Sequence, residues 1–102
     1  MNEKWTEASM KKKIPEGELI RFHLTPAERT LVRDETLYDP DFANLADCEG
    51  NGFVVPMTLL DIEELQGDVA AAANHCSDKK VQARLDRFFE KLQRCLNKYE
   101  EV

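Results

Sequence analysis

Two apolar seams at heptad spacing, joined by one short polar link, constrain this chain more than any other feature. Ile62, Leu65, Val69, Ala72 and Cys76 recur at threes and fours, and after Ser77 the pattern resumes at Val81, Leu85, Phe88, Leu92, Cys95 and Tyr99. Residues three and four apart share a helix face, so each run predicts an amphipathic helix, and so short a link makes the two antiparallel neighbours. The spacing predicts a helical hairpin over 58–100, with Ala72 and Cys76 facing Leu85 and Val81 and with Leu65 facing Leu92. Thr58 with Asp61 opens the first of these helices, which reaches Asn74 or His75. Ser77 caps the second, and Asp78 follows at the positive end of its dipole. Gly67 inside the first costs about 1 kcal/mol relative to alanine, which predicts a close neighbour or a bend there.

Beside the second seam runs a cationic ridge of Lys80, Arg84, Arg87, Lys91, Arg94 and Lys98, in a chain whose net charge is -6. Such a ridge needs a partner or an internal counter-charge. Residues 25–68 hold 11 acidic and 2 basic side chains, whereas residues 69–102 hold 5 and 7, so the middle of the chain can complement its end. In the antiparallel register, Asp61 stands opposite Lys98, Asp68 opposite Lys91 and His75 opposite Arg84, with two of the three pairs opposite in sign. On this reading only Lys79, Lys80, Arg87 and Arg94 stay free. The other flank, with Leu59, Gln66 and Ala73 opposite Phe89, Leu96 and Gln82, is mostly apolar and is expected to bury against the strands and first helix through Leu31, Val32 and Leu37.

Upstream, residues 1–17 lack either periodicity and read as a basic, disordered tail ending in Pro15-Glu16-Gly17. Ile20, Phe22 and Leu24 alternate with Leu19, Arg21 and His23, which predicts a half-buried strand. Thr25-Pro26-Ala27-Glu28 is a capping box with proline at the first helical position, so a helix runs from Pro26 to about Glu35. Asp39-Pro40 begins a second, short helix through Phe42, Leu45 and Ala46. Glu49-Gly50-Asn51-Gly52 turns the chain into a second strand, Phe53 to Met57, placed at an edge because Pro56 cannot donate to a ladder. The fold class is therefore α+β: strand, two helices, strand, then the hairpin, with a two-stranded sheet and a single domain over 18–102.

The alanines Ala70 to Ala73, then Asn74, His75, Asp78, Lys79, Lys80, Gln82, Leu85, Asp86 and Phe88-Phe89, resemble the end of small bacterial proteins of unknown function. The resemblance covers the last third of the chain and implies no activity.

Several function classes find no support in the residues. There is no phosphate loop, no nucleophile elbow and no metalloprotease helix, and Cys48 beside Glu49 is disfavoured as a thiolate, so no catalytic residue is assigned and the chain reads as non-enzymatic. His75 and Cys76 project about 100° apart on a helix, and neither His23 nor Cys48 completes a spaced pair, so no metal or cofactor is assigned. With 3 cysteines at wide spacing and no apolar run long enough for a membrane, a reduced, soluble, cytoplasmic protein is expected. What remains is a protein-interaction or regulatory module, with a partner protein or a second copy completing the sheet as a homodimer. Its candidate surface comprises Lys79, Lys80, Arg87 and Arg94 with the acidic Asp34, Glu35, Asp39 and Asp41. The runner-up is a nucleic-acid-associated regulator using the basic face.

Overall fold

A computed structural model describes residues 11–38 and 47–102. The expected α+β class is observed. In chain order the elements are β1 (Lys12–Ile14), β2 (Ile20–Leu24), α1 (Pro26–Glu35), β3 (Asp47–Glu49), β4 (Gly52–Met57), α2 (Leu59–His75), α3 (Lys79–Lys98) and β5 (Tyr99–Glu101). The short helix expected after Asp39 lies outside the described residues.

Both threonine boxes close as the sequence predicts. Glu28 N–H donates to Thr25 Oγ1 at 3.1 Å while Thr25 N–H donates to Glu28 Oε1 at 2.8 Å. Thr58 and Asp61 repeat the exchange at 3.0 Å in both directions. The cap of α3 falls one residue later than expected. Asp78, rather than Ser77, accepts from Lys80 N–H and Val81 N–H, because a carboxylate satisfies two orphan donors and also carries the charge that the helix N-terminus favours.

β2 and β4 pair antiparallel from Ile20↔Met57 to Leu24↔Phe53. β3 adds itself to the other side of β4 from Asp47↔Val54 to Glu49↔Gly52, which makes β4 the central strand. Pro56 is nonetheless tolerated, since β3 ends opposite Val54 and leaves β4 flanked by β2 alone at the proline, among the described residues. The turn between β3 and β4 takes its positive φ at Gly50 (60°) rather than at Asn51, the position that a glycine-first hairpin turn requires.

The stretch expected to be a loose tail differs in its last residues. Lys12–Ile14 forms a parallel pair with the end of the chain, from Lys12↔Tyr99 to Ile14↔Glu101. Val102 N–H donates to Ile14 O at 3.0 Å, and Gly17 N–H donates to Glu101 Oε2 at 2.9 Å. Ile14 is only 2% exposed. One buried isoleucine among lysines has no periodicity to announce it, and its partner strand lies more than eighty residues away.

The core lies between the sheet and the hairpin. Ile20, Phe22, Leu24, Val55 and Met57 meet Ile62, Leu65, Val69, Leu85, Phe88 and Leu92, all buried. Phe22 and Phe88 approach with ring centroids at 6.3 Å and a 58° tilt, a geometry that aromatic quadrupoles favour. The hairpin has the predicted register: Gln66 Nε2 donates to Gln93 Oε1 at 2.8 Å, two residues on either side of the position where Asp68 stands opposite Lys91. Gln82 Nε2 donates to Ala73 O at 3.1 Å and closes its upper end. Gly67 is exposed within an uninterrupted α2, and a Cβ built there would meet nothing within 4 Å, so the close neighbour expected from the sequence is absent. Of the three residues expected to cover the apolar flank of the hairpin, Leu31 and Val32 are buried, whereas Leu37 is 98% exposed. Among the described residues no helix is long and apolar enough to cross a membrane.

A candidate anion-binding groove along the last helix

The apolar flank of the hairpin is withdrawn from solvent as expected: Leu59 and Ala73 are buried, and Phe89 and Leu96 pack against the core. The cations of α3 also border the space against α1 and β2. Lys91 shows why this is tolerated. Its Nζ lies over the Phe22 ring, 5.4 Å from the centroid. The ammonium donates to Glu28 Oε1 at 2.7 Å and to His23 O at 2.7 Å. A long lysine stem can cover apolar surface provided its head finds acceptors, and α1 and β2 each supply one. Glu28 thereby serves twice, as the return arm of the α1 capping box and as the counter-ion of Lys91.

The interhelical ion pairs expected from the sequence do not form. Lys91 goes to α1, not to Asp68, and the Asp61 carboxylate is taken by Thr58 N–H. Asp61 is the N3 residue of its helix, so the short return to the cap is closer than a cation across the seam. Among the described residues Arg84, Arg87, Arg94 and Lys98 make no hydrogen bond or ion pair through their side chains; the ion pairs present are Lys91–Glu28 and the exposed Arg33–Asp34 contact at 3.0 Å. Asp34 holds the Arg33 guanidinium above its ordinary pKa, first through the hydrogen bond and then through its charge. The ridge is thus less neutralised than the sequence register implied.

Two adjoining hollows follow the ridge. One, of about 360 Å³, lies between α1 and α3, lined by apolar Ala27, Leu31 and Phe88, by Arg84, Arg87, Lys91 and Arg94, and by Glu28, whose carboxylate is engaged by Lys91. The next, of about 470 Å³, lies between β2 and the C-terminal half of α3 and shares Lys91 and Arg94 with the first. Its wall adds Arg21, His23, Lys98 and Tyr99, and none of its lining residues is acidic. Cys95 also borders it. Burial pushes that thiol pKa up, against a smaller opposing pull from Lys98 and Lys91.

The residues proposed from the sequence are only partly gathered here. Arg87 and Arg94 line the groove. Lys79 and Lys80 are exposed at the opposite end of α3, before Arg84, and line neither hollow. Asp34 and Glu35 border a third hollow of about 380 Å³ with Val81, which shares Ala27, Leu31 and Arg84 with the first. Asp39 and Asp41 lie outside the described residues. Sequence reasoning missed Arg84 and Lys98 by assigning them internal partners. It missed Arg21 and His23 as well, although their outward alternation on β2 was a usable signal. Among the described residues no three His, Cys, Asp or Glu side chains converge to hold a metal ion.

No protein-family model matches the chain, and neither the curated proteins nor the solved structures contain a match to it.

Proposed function

We propose that the protein is a non-enzymatic interaction module that docks an acidic segment of a partner protein in the groove between α3 and the β2–α1 edge. The observation that supports this reading is the ridge itself: of Arg84, Arg87, Lys91, Arg94 and Lys98, Lys91 is the member with an ion pair among the described residues. Lining up like charges along one helix face is unfavourable, and an anionic partner relieves it. The apolar lining of Ala27, Leu31 and Phe88 gives such a partner something to bury besides charge.

A second reading, a nucleic-acid-associated regulator, draws on the same cations, because a line of Lys and Arg can neutralise successive phosphates. The ring faces favour the protein partner. Phe22 and Phe88 are 4% and 2% exposed, so neither is offered to stack on a base. The test is fluorescence anisotropy with a Glu-rich peptide and with mixed-sequence DNA and RNA, each over a salt series. Peptide binding at 150 mM salt (the physiological regime in which charges more than about 8 Å apart are screened) that is lost in the Arg87→Glu, Arg94→Glu double variant is expected. Nucleic-acid retention under the same conditions, lost in the same variant, would reverse the order of the two readings.

A further inference from the structure

We propose that the hollow between β2 and the last turns of α3 is a phosphoryl-binding subsite, so that the docked segment is a phosphorylated stretch of a partner protein. This rests on the acidic-partner reading above and names the group that anchors it.

Donors from three elements border the hollow. Arg94, Lys98 and Tyr99 come from the end of α3 and the start of β5, and His23 comes from the outward face of β2. Arg94 and Lys98 have no ion pair among the described residues, and no carboxylate borders the space. A carboxylate presents two oxygens and one charge, and one guanidinium satisfies it. A phosphate monoester carries roughly -1.5 to -2 charges and three strong acceptors at neutral pH, so it needs several donors at once. The planar fork of Arg94, the point charge of Lys98 and the imidazole N–H of His23 supply three chemically different ones. The α3 C-terminus opposes an anion with a dipole equivalent to about half a charge, which the flanking cations outweigh.

Continuity with the neighbouring hollow argues for a peptide as the carrier. The two spaces share Lys91 and Arg94, and the first has apolar Ala27, Leu31 and Phe88 in its lining. A peptide chain offers an apolar side chain and a phosphate a few residues apart. A single-stranded nucleic acid would instead bring bases, whose stacking faces find in these walls only the half-buried Tyr99 ring and the His23 imidazole, Phe22 and Phe88 being buried.

The experiment uses the full chain, isotope-labelled, titrated with inorganic phosphate at constant ionic strength, followed by competition among three labelled ligands. These are a phosphoserine peptide, the same peptide with two glutamates in place of phosphoserine, and a DNA single strand of matched charge. Phosphate is expected to shift the amide signals of His23, Lys98 and Tyr99 saturably, and the phosphopeptide to bind about tenfold or more tightly than the glutamate peptide. Arg94→Ala with Lys98→Ala should abolish that preference. Arg87→Ala, in the groove but outside this hollow, should keep it, and Arg94→Lys with Lys98→Arg should retain part of it while holding net charge and fold constant. Phosphate shifts spread over every basic residue without saturation would overturn the subsite, as would DNA outcompeting the phosphopeptide. Equal affinity for the two peptides would remove the subsite and leave acidic docking standing; no binding of either peptide would remove both.

Discussion

Lys91 is the residue at which β2, α1 and α3 meet, and its double role explains why a cationic ridge can form one wall of the packed fold. The ammonium is bound at 2.7 Å by Glu28 Oε1 and by His23 O, with the two side chains 30% and 21% exposed for lysine and glutamate. Partial exposure discounts the pair, because water competes and salt screens it. Removing the ammonium while keeping the stem, as in Lys91→Met, should cost about 1–2 kcal/mol in urea unfolding, most of it from the charge-assisted hydrogen bonds. A double-mutant cycle with Glu28→Gln isolates the ion pair and should return a coupling on the order of 1 kcal/mol. A coupling near zero would place this pair with the exposed Arg33–Asp34 contact, as an incidental surface pair. Cysteine chemistry is ordered at the same scale. The raised pKa of Cys95 lowers its thiolate fraction at any given pH, whereas Cys48 is exposed. Alkylation followed by peptide mass mapping should therefore modify Cys48 first and Cys95 late, with the lag at Cys95 shrinking as pH rises, since the thiolate is the nucleophile.

At the scale of elements, caps and seams govern. Replacing Thr25 or Thr58 by alanine removes half of a closed capping box and should each lower stability by about 1 kcal/mol. Gly67→Ala should raise it by about 0.5–1 kcal/mol, since α2 continues through the glycine and an added methyl meets nothing. Thermal melts of the three variants read both signs in one series, and a destabilised Gly67→Ala would mean that this part of α2 is not regular helix. These are also the features most legible in the sequence. Capping boxes and the heptad seam are local or periodic, so α1, the hairpin and its register follow from residues close together. What eluded local reading was that the lysine flank of the hairpin also meets α1 and β2. A lysine stem can bury hydrocarbon when its head finds acceptors, and that is decided by whether Glu28 and the His23 carbonyl stand in reach of Lys91, a three-dimensional coincidence no spacing encodes. The basic groove was half legible for the same reason: its α3 wall is periodic, whereas its β2 wall depends on where the strand is laid.

At the scale of the whole fold, the described residues are closed by the pairing of β1 with β5. β1 and β5 are each three residues long, their parallel pairing joins residues 12–14 to residues 99–101, and everything else in the domain lies in the loop between them. A two-stranded ribbon this short is marginal by its own hydrogen bonds, so the pairing must draw its stability from packing. Ile14 supplies that packing: it is buried in the main core while its flanking lysines are exposed. A chain ending at Lys98 loses the partner strand, the Val102 N–H to Ile14 O bond and the Glu101 contact to Gly17. Its expected cost is about 2–4 kcal/mol, in the range of a large-to-small core substitution, because Ile14 then leaves its site. Ile14→Ala in the full chain should cost a similar amount. Combining the two should cost far less than their sum, since each removes the same docked segment. Hydrogen exchange separates this from general loosening. The β1 and β5 amides should exchange through a local opening while β2 and β4 keep the protection of the global transition. Additive losses, or exchange of all four strands at one rate, would show the end-to-end pairing to be an inseparable part of the core. A local opening also bears on the groove, because Tyr99 begins β5 and borders the hollow beside Arg94 and Lys98. Truncation at Lys98 should then weaken the phosphopeptide preference without abolishing the salt-dependent attraction of the remaining cations.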